Sequence, residues 1–148
     1  RARAVDGAAV GFDAVDGREV SVRIERPENL AVVARVGAYG AVCAALLPHG
    51  MEANIHALRS RAPRHDALRR YVDVARALTG DHGARMEDGP SWVEHLVRDF
   101  AIPPLGAYGI RESDVPALVE KVAQASSMKA NPIQLTADEL AEVLLRAL

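Results

Sequence analysis

Five histidines carry the most visible chemistry in this chain: His49, His56, His65, His82 and His95. His49 and His56 stand seven residues apart, which is two helical turns and therefore one face. A pair four residues apart is the better metal signal. Pro48 directly precedes His49 and is expected to spoil the geometry of the longer spacing. A lone helical histidine is more often bonded to a nearby carbonyl than to a metal. The sequence presents no catalytic triad, no Cys-x-x-Cys pair, no phosphate-cradling glycine loop and no paired catalytic carboxylates. Gly7 and Gly11 sit in no strand–turn–helix context. Asp138 and Glu139 read as members of a helix cap, and Asp73 and Asp99 as solvated helix faces. The one cysteine, Cys43, cannot close an internal disulfide and is expected to be a small core residue.

The elements that must position these residues are mostly helical. Ala41–Leu58 begins with an uncharged run of Ala, Val, Leu and Cys, which reads as a helix buried on most sides. It is too short to span a bilayer. Pro48 predicts a kink or break near Ala44–Leu47. Leu30–Val36 reads as a short helix stopped by Gly37. Asp66–Leu78 carries Leu68, Tyr71, Val72, Ala75 and Leu78 at helical spacing, with Gly80 as its stop. Ser91 and Glu94 are spaced as a capping box for a helix to about Phe100 that buries Val93, Leu96 and Phe100. Ser113 is expected to cap the next helix, with Pro116 in its first turn and Val115, Leu118, Val119 and Val122 inward. Thr136 and Glu139 form a second capping box, and Leu135 and Leu140 a hydrophobic staple. The expected architecture after Gly40 is a bundle of about five helices with no sheet.

Residues 1–35 differ. Val20, Val22 and Ile24 alternate with Ser21 and Arg23, and Asp16-Gly17 is a hairpin turn signal. A short hairpin or an arm is expected there, with a boundary at Arg26-Pro27. At 148 residues, 49% hydrophobic and 26% charged, the chain can bury a real core. A net charge of −2 gives no electrostatic case for nucleic acid or an anionic membrane. Arg1–Val20 has acidic residues and glycines where a signal peptide would be apolar, so a cytoplasmic location is expected. The first residue is not Met, and a partial sequence is expected.

From Gly37 onward the chain resembles the iron-containing alcohol dehydrogenase superfamily, which includes the maleylacetate reductases. The resemblance begins at Gly37-Ala38-Tyr39-Gly40 and continues through Leu46, Leu47, Pro48, His49, Met51 and Asn54. It extends to Arg70–Leu78, Ile102-Pro-Pro-Leu105, Gly109–Pro116 and Asn131-Pro132 through Leu140. In the family a loop ending in Pro-His-Gly leads into such a helix, and the loop's His is a metal ligand. Two registers are open. In the first, which matches more residues, Tyr39 replaces that ligand and His49 is the helix's own histidine. In the second, Pro48-His49-Gly50 is the ligand-bearing triplet and His49 is the candidate metal ligand.

The resemblance implies a helical C-terminal domain, dehydroquinate-synthase-like, over residues 36–148. In whole members an α/β domain binds NAD(P), and the helical domain holds iron or zinc with one Asp and three His. Here no His precedes His49, and no nucleotide loop is present. The resemblance therefore implies no cofactor for this chain alone, with NAD(P) and Fe(II) or Zn(II) at family level. No catalytic or cofactor-binding residue is assigned. Three readings stand: part of an NAD(P)-dependent alcohol dehydrogenase or maleylacetate reductase, inactive by itself; a non-catalytic helical interaction module derived from that fold; or an unrelated helical protein. The first expects a separate α/β partner; without it, apolar surface near Tyr39–Leu47 would be left uncovered, and either residues 1–35 folded back over it or self-association is expected. Tyr39 is then expected to serve in packing.

Overall fold

The computed structural model describes the backbone of residues 10–15, 19–24 and 27–148, and side chains from Tyr39 onward except those of Ser126 and Ser127. The chain divides into two units, Arg1–Gly40 and Ala41–Leu148. In the first, β1 (Val10–Val15) pairs antiparallel with β2 (Glu19–Ile24). The register sets Val10 opposite Ile24, Phe12 opposite Val22 and Ala14 opposite Val20. The expected turn at Asp16-Gly17 lies outside the described residues.

Helix α1 runs from Pro27 to Arg61 as one 35-residue element. Proline suits a first helical position, where its missing donor has no partner anyway. The expected stop at Gly37 does not occur. Glycine inside a helix costs only about 1 kcal/mol, and its neighbours Ala, Val and Tyr do not reinforce a stop. Nor does Pro48 end the helix. Pro48 is itself buried, so the packing around it offsets the lost hydrogen bond.

Four further α-helices complete the second unit, and no strand occurs among its described residues. They are α2 (Asp66–Thr79), α3 (Asp88–Asp99), α4 (Val115–Gln124) and α5 (Ala137–Arg146). Gly80 ends α2 at φ 71°, donating its amide to the carbonyl of Arg76. At the other end His65 is the cap, its Nδ1 accepting from the Ala67 amide at 3.1 Å. The Thr136–Glu139 box forms as expected: the Thr136 amide donates to Glu139 Oε2 at 2.7 Å, and the Glu139 amide to Thr136 Oγ1 at 3.2 Å.

Two expected caps are corrected. Helix α3 starts at Asp88, so Ser91 lies inside it and its hydroxyl donates to the carbonyl of Glu87. The Arg85 amide donates to Asp88 Oδ2 at 2.7 Å, which turns the chain earlier than the box would. Ser113 falls within a short 3-10 turn, Glu112–Asp114, closed by the Arg111 amide on Asp114 Oδ2. The expected burial of Phe100 also fails: it is 69% exposed, beyond the end of α3.

The core gathers Ala45 and Ala57 of α1, Leu105, Val115 and Val119 of α4, and Leu135, Leu140 and Leu144 at α5. Leu58 and Leu105 are its largest fully buried side chains. Gly89 lets the start of α3 lie close to α2: a Cβ there would meet that of Ala75 at 3.5 Å.

Candidate functional site

His49, Glu52 and His56 share one face of α1, at positions i, i+3 and i+7. Across from them α5 presents Glu139, Glu142, Val143 and Arg146, and the two helices enclose a cavity of about 160 Å³. A second cavity of about 180 Å³ opens on the other side of His49 and Glu52, against Pro90, Ser91 and Glu94 of α3 and Glu87 just before it. His49, Glu52 and Arg146 line both. Pro48 therefore does not keep His49 and His56 apart, contrary to the sequence reading. The helix is continuous through it, so the two-turn spacing keeps its geometry.

The electrostatics of this groove centre on Arg146, whose Nη1 lies 2.7 Å from Glu52 Oε2. His49 Nδ1 is buried and has no hydrogen-bond partner. Burial holds the His49 imidazole below its usual 6.5, and the Arg146 guanidinium adds to this, while Glu94 and Glu52 oppose it. Neutral imidazole is thus the favoured form near neutral pH, with its second nitrogen able to accept or donate a proton.

Tyr39 sits elsewhere. It lies within α1 and not in a loop, and it is 74% exposed. Cys43 and Leu47 follow at four-residue spacing, both exposed, Leu47 at 50%. The three lie in an exposed, largely apolar row on one face of the helix among the described residues. This corrects one expectation: Cys43 is exposed and is not a core residue. Tyr39, expected to serve in packing, is largely exposed among the described residues.

Two of the other histidines serve local structure. His65 caps α2, and His95 Nδ1 lies 2.6 Å from the carbonyl of Ser91. All five histidines fall among the described residues, and no group of three or more His, Cys, Asp or Glu there could hold a metal ion. The donor set does not fit an iron or zinc centre built from this chain alone.

One polar cluster escaped the sequence reading. Asn54 Nδ2 donates to Asn131 Oδ1 at 3.0 Å, and Asn131 Nδ2 donates back to Asn54 Oδ1 at 2.7 Å. Asn131 Nδ2 also reaches the carbonyl of Ile133 at 2.6 Å. Tyr71 of α2 lies beside this pair: burial raises its hydroxyl's pKa, and the neighbouring Asn54 side chain partly offsets this. The cluster ties α1 to the segment that enters α5. The available signal was the pair of motif positions, Asn54 and Asn131-Pro132, but nothing local joins residues 77 apart.

A helical bundle with this motif order matches the family described as Fe-containing alcohol dehydrogenase family, C-terminal, over residues 36–148. The chain belongs to that family. No curated protein and no solved structure matches it. No helix among the described residues is long and apolar enough to cross a membrane.

Proposed function

We propose that this chain is the helical part of an NAD(P)-dependent oxidoreductase of the iron-containing alcohol dehydrogenase type, acting in the cytoplasm on an alcohol, an aldehyde or maleylacetate. The observation that carries this is the family match over residues 36–148. We place the domain at 36–148, with 1–35 as an appended arm. The chain is inactive alone, because its sequence has no glycine loop to present amides to the cofactor's pyrophosphate. An α/β nucleotide-binding domain, on another chain or another part of the protein, supplies that loop. The row Tyr39, Cys43, Leu47 supports the reading, since it is largely apolar and exposed among the described residues.

A metal in this family polarises the substrate oxygen while hydride passes to or from the nicotinamide. Among the described residues no three His, Cys, Asp or Glu side chains gather as such a centre needs, and no step is assigned to one. A second reading has an observation of its own. In the register that sets Tyr39 at the loop-ligand position, an unbroken helix stands where that loop would be, which fits a helical module that keeps the fold without the chemistry.

Calorimetry of the purified chain with NADH and with NADPH tests the first reading. We expect no binding heat, and a micromolar dissociation constant for the chain alone would overturn it. Adding a separately produced α/β domain of the same family separates the two readings. Recovered alcohol or aldehyde turnover supports the oxidoreductase, and association without turnover supports the module.

A further inference from the structure

His49 stands where α1, α3 and α5 meet. Glu52 and His56 flank it on α1, Glu87, Ser91 and Glu94 face it from α3 and the residue before that helix, and Glu139, Glu142 and Arg146 face it from α5. Arg146 reaches across to Glu52 at 2.7 Å, joining the last turn of α5 to α1. The same end of α5 holds the core by a second link. The Leu105 amide donates to the carbonyl of Ala147 at 2.8 Å, and Leu105 itself is 1% exposed.

A proton on His49 would place a cation beside the Arg146 guanidinium, with Glu52 as the carboxylate both can use. Glu52 is three residues from His49 on the same helix, an easy reach. Arg146 has an alternative partner in Glu142, one turn back on α5. Glu94 makes no ion pair among the described residues and stands on the opposite wall, where it can share the imidazolium charge. The Arg146–Glu52 pair is solvent-exposed and weak by itself, so a competing charge at short range can displace it.

We propose that His49 is a pH-sensitive latch: its protonation draws Glu52 from Arg146 and loosens the last turn of α5, on which the Leu105–Ala147 bond depends. The step takes one proton from solvent and breaks no covalent bond. The sign follows from burial and Arg146 holding the His49 pKa down. The latch is fully closed above about pH 6.5, and it weakens as pH falls from there toward the lower folded value. The inference concerns this chain's own residues and is independent of the reaction proposed above.

Native-state amide exchange at Leu105, corrected for the intrinsic rate, reads the latch directly in the full chain. Between about pH 7.5 and about pH 5, protection should fall by up to about tenfold for each unit that the His49 pKa lies below its free value. The fall should follow the His49 ring titration seen by NMR. His49→Gln should remove the pH dependence. A flat wild-type profile, or an undiminished slope in His49→Gln, would overturn the proposal. Should His49→Gln fail to fold, Arg146→Gln serves instead. It should already loosen Leu105 at about pH 7.5 and raise the His49 pKa. No change in either would refute the latch.

Discussion

Replacing Asn131 by Ala deletes three hydrogen bonds at once, two to Asn54 and one to the Ile133 carbonyl. All three are part-buried, so water only partly compensates the groups left behind. At a net ~1 kcal/mol per neutral bond, Asn131→Ala should cost about 2–3 kcal/mol. Asn54→Ala removes the same reciprocal pair and should cost about 2 kcal/mol. Once either is gone, most of the loss is already taken, so the double variant should be little worse than Asn131→Ala. The expected coupling is ~1–2 kcal/mol, read by urea unfolding of the four proteins of the cycle. In thermal unfolding Asn131→Ala should lower Tm by roughly 8 °C for a unit of this size. If the single losses add to within ~0.5 kcal/mol, the pair does not act as one unit, and the link between α1 and the entry to α5 is refuted.

Three further outcomes are expected. Ala101 sits at φ 49° just past α3, so Ala101→Gly should raise stability by about 0.5–1 kcal/mol in urea unfolding, while Gly80→Ala at φ 71° should lower it by a similar amount. Burial alone would raise the Glu139 pKa, but the bond from the Thr136 amide and the contact with Arg61 lower it below 4.5. Its stabilisation is therefore present above that value and lost as pH falls through the folded pKa, and Glu139→Gln should flatten this acid limb in a pH series of urea midpoints. Cys43 is exposed, so a chromogenic disulfide reagent should titrate one thiol per chain without denaturant. A thiol that reacts only after unfolding would refute the exposed face of α1.

Features whose causes lie within a few residues were legible beforehand. Thr136 and Glu139 cap a helix because each finds the other's amide three positions away. Gly80 stops α2 because only glycine takes that left-handed φ freely. The stripe of Val115 and Val119 and the staple of Leu135 and Leu140 turned inward, since helical period assigns a face once caps fix the ends.

Where two local signals competed, packing chose between them. Ser91 and Glu94 have the spacing of a box, yet α3 starts at Asp88, because Gly89 and Pro90 are buried and Gly89 lies close against Ala75 and Met51. Around α1 nearly every side is small or apolar, so periodicity could not say which side meets the core. Tertiary contact turned Ala45 and Ala57 inward and left Tyr39, Cys43 and Leu47 facing out. The groove at His49 is of the same kind. Its α1 residues were visible as a spacing, but Arg146 on α5 and Glu94 on α3 reach it only once the helices have packed. Burial and neighbouring charge, which decide the chemistry of an imidazole, are properties of that packing and not of the order of residues.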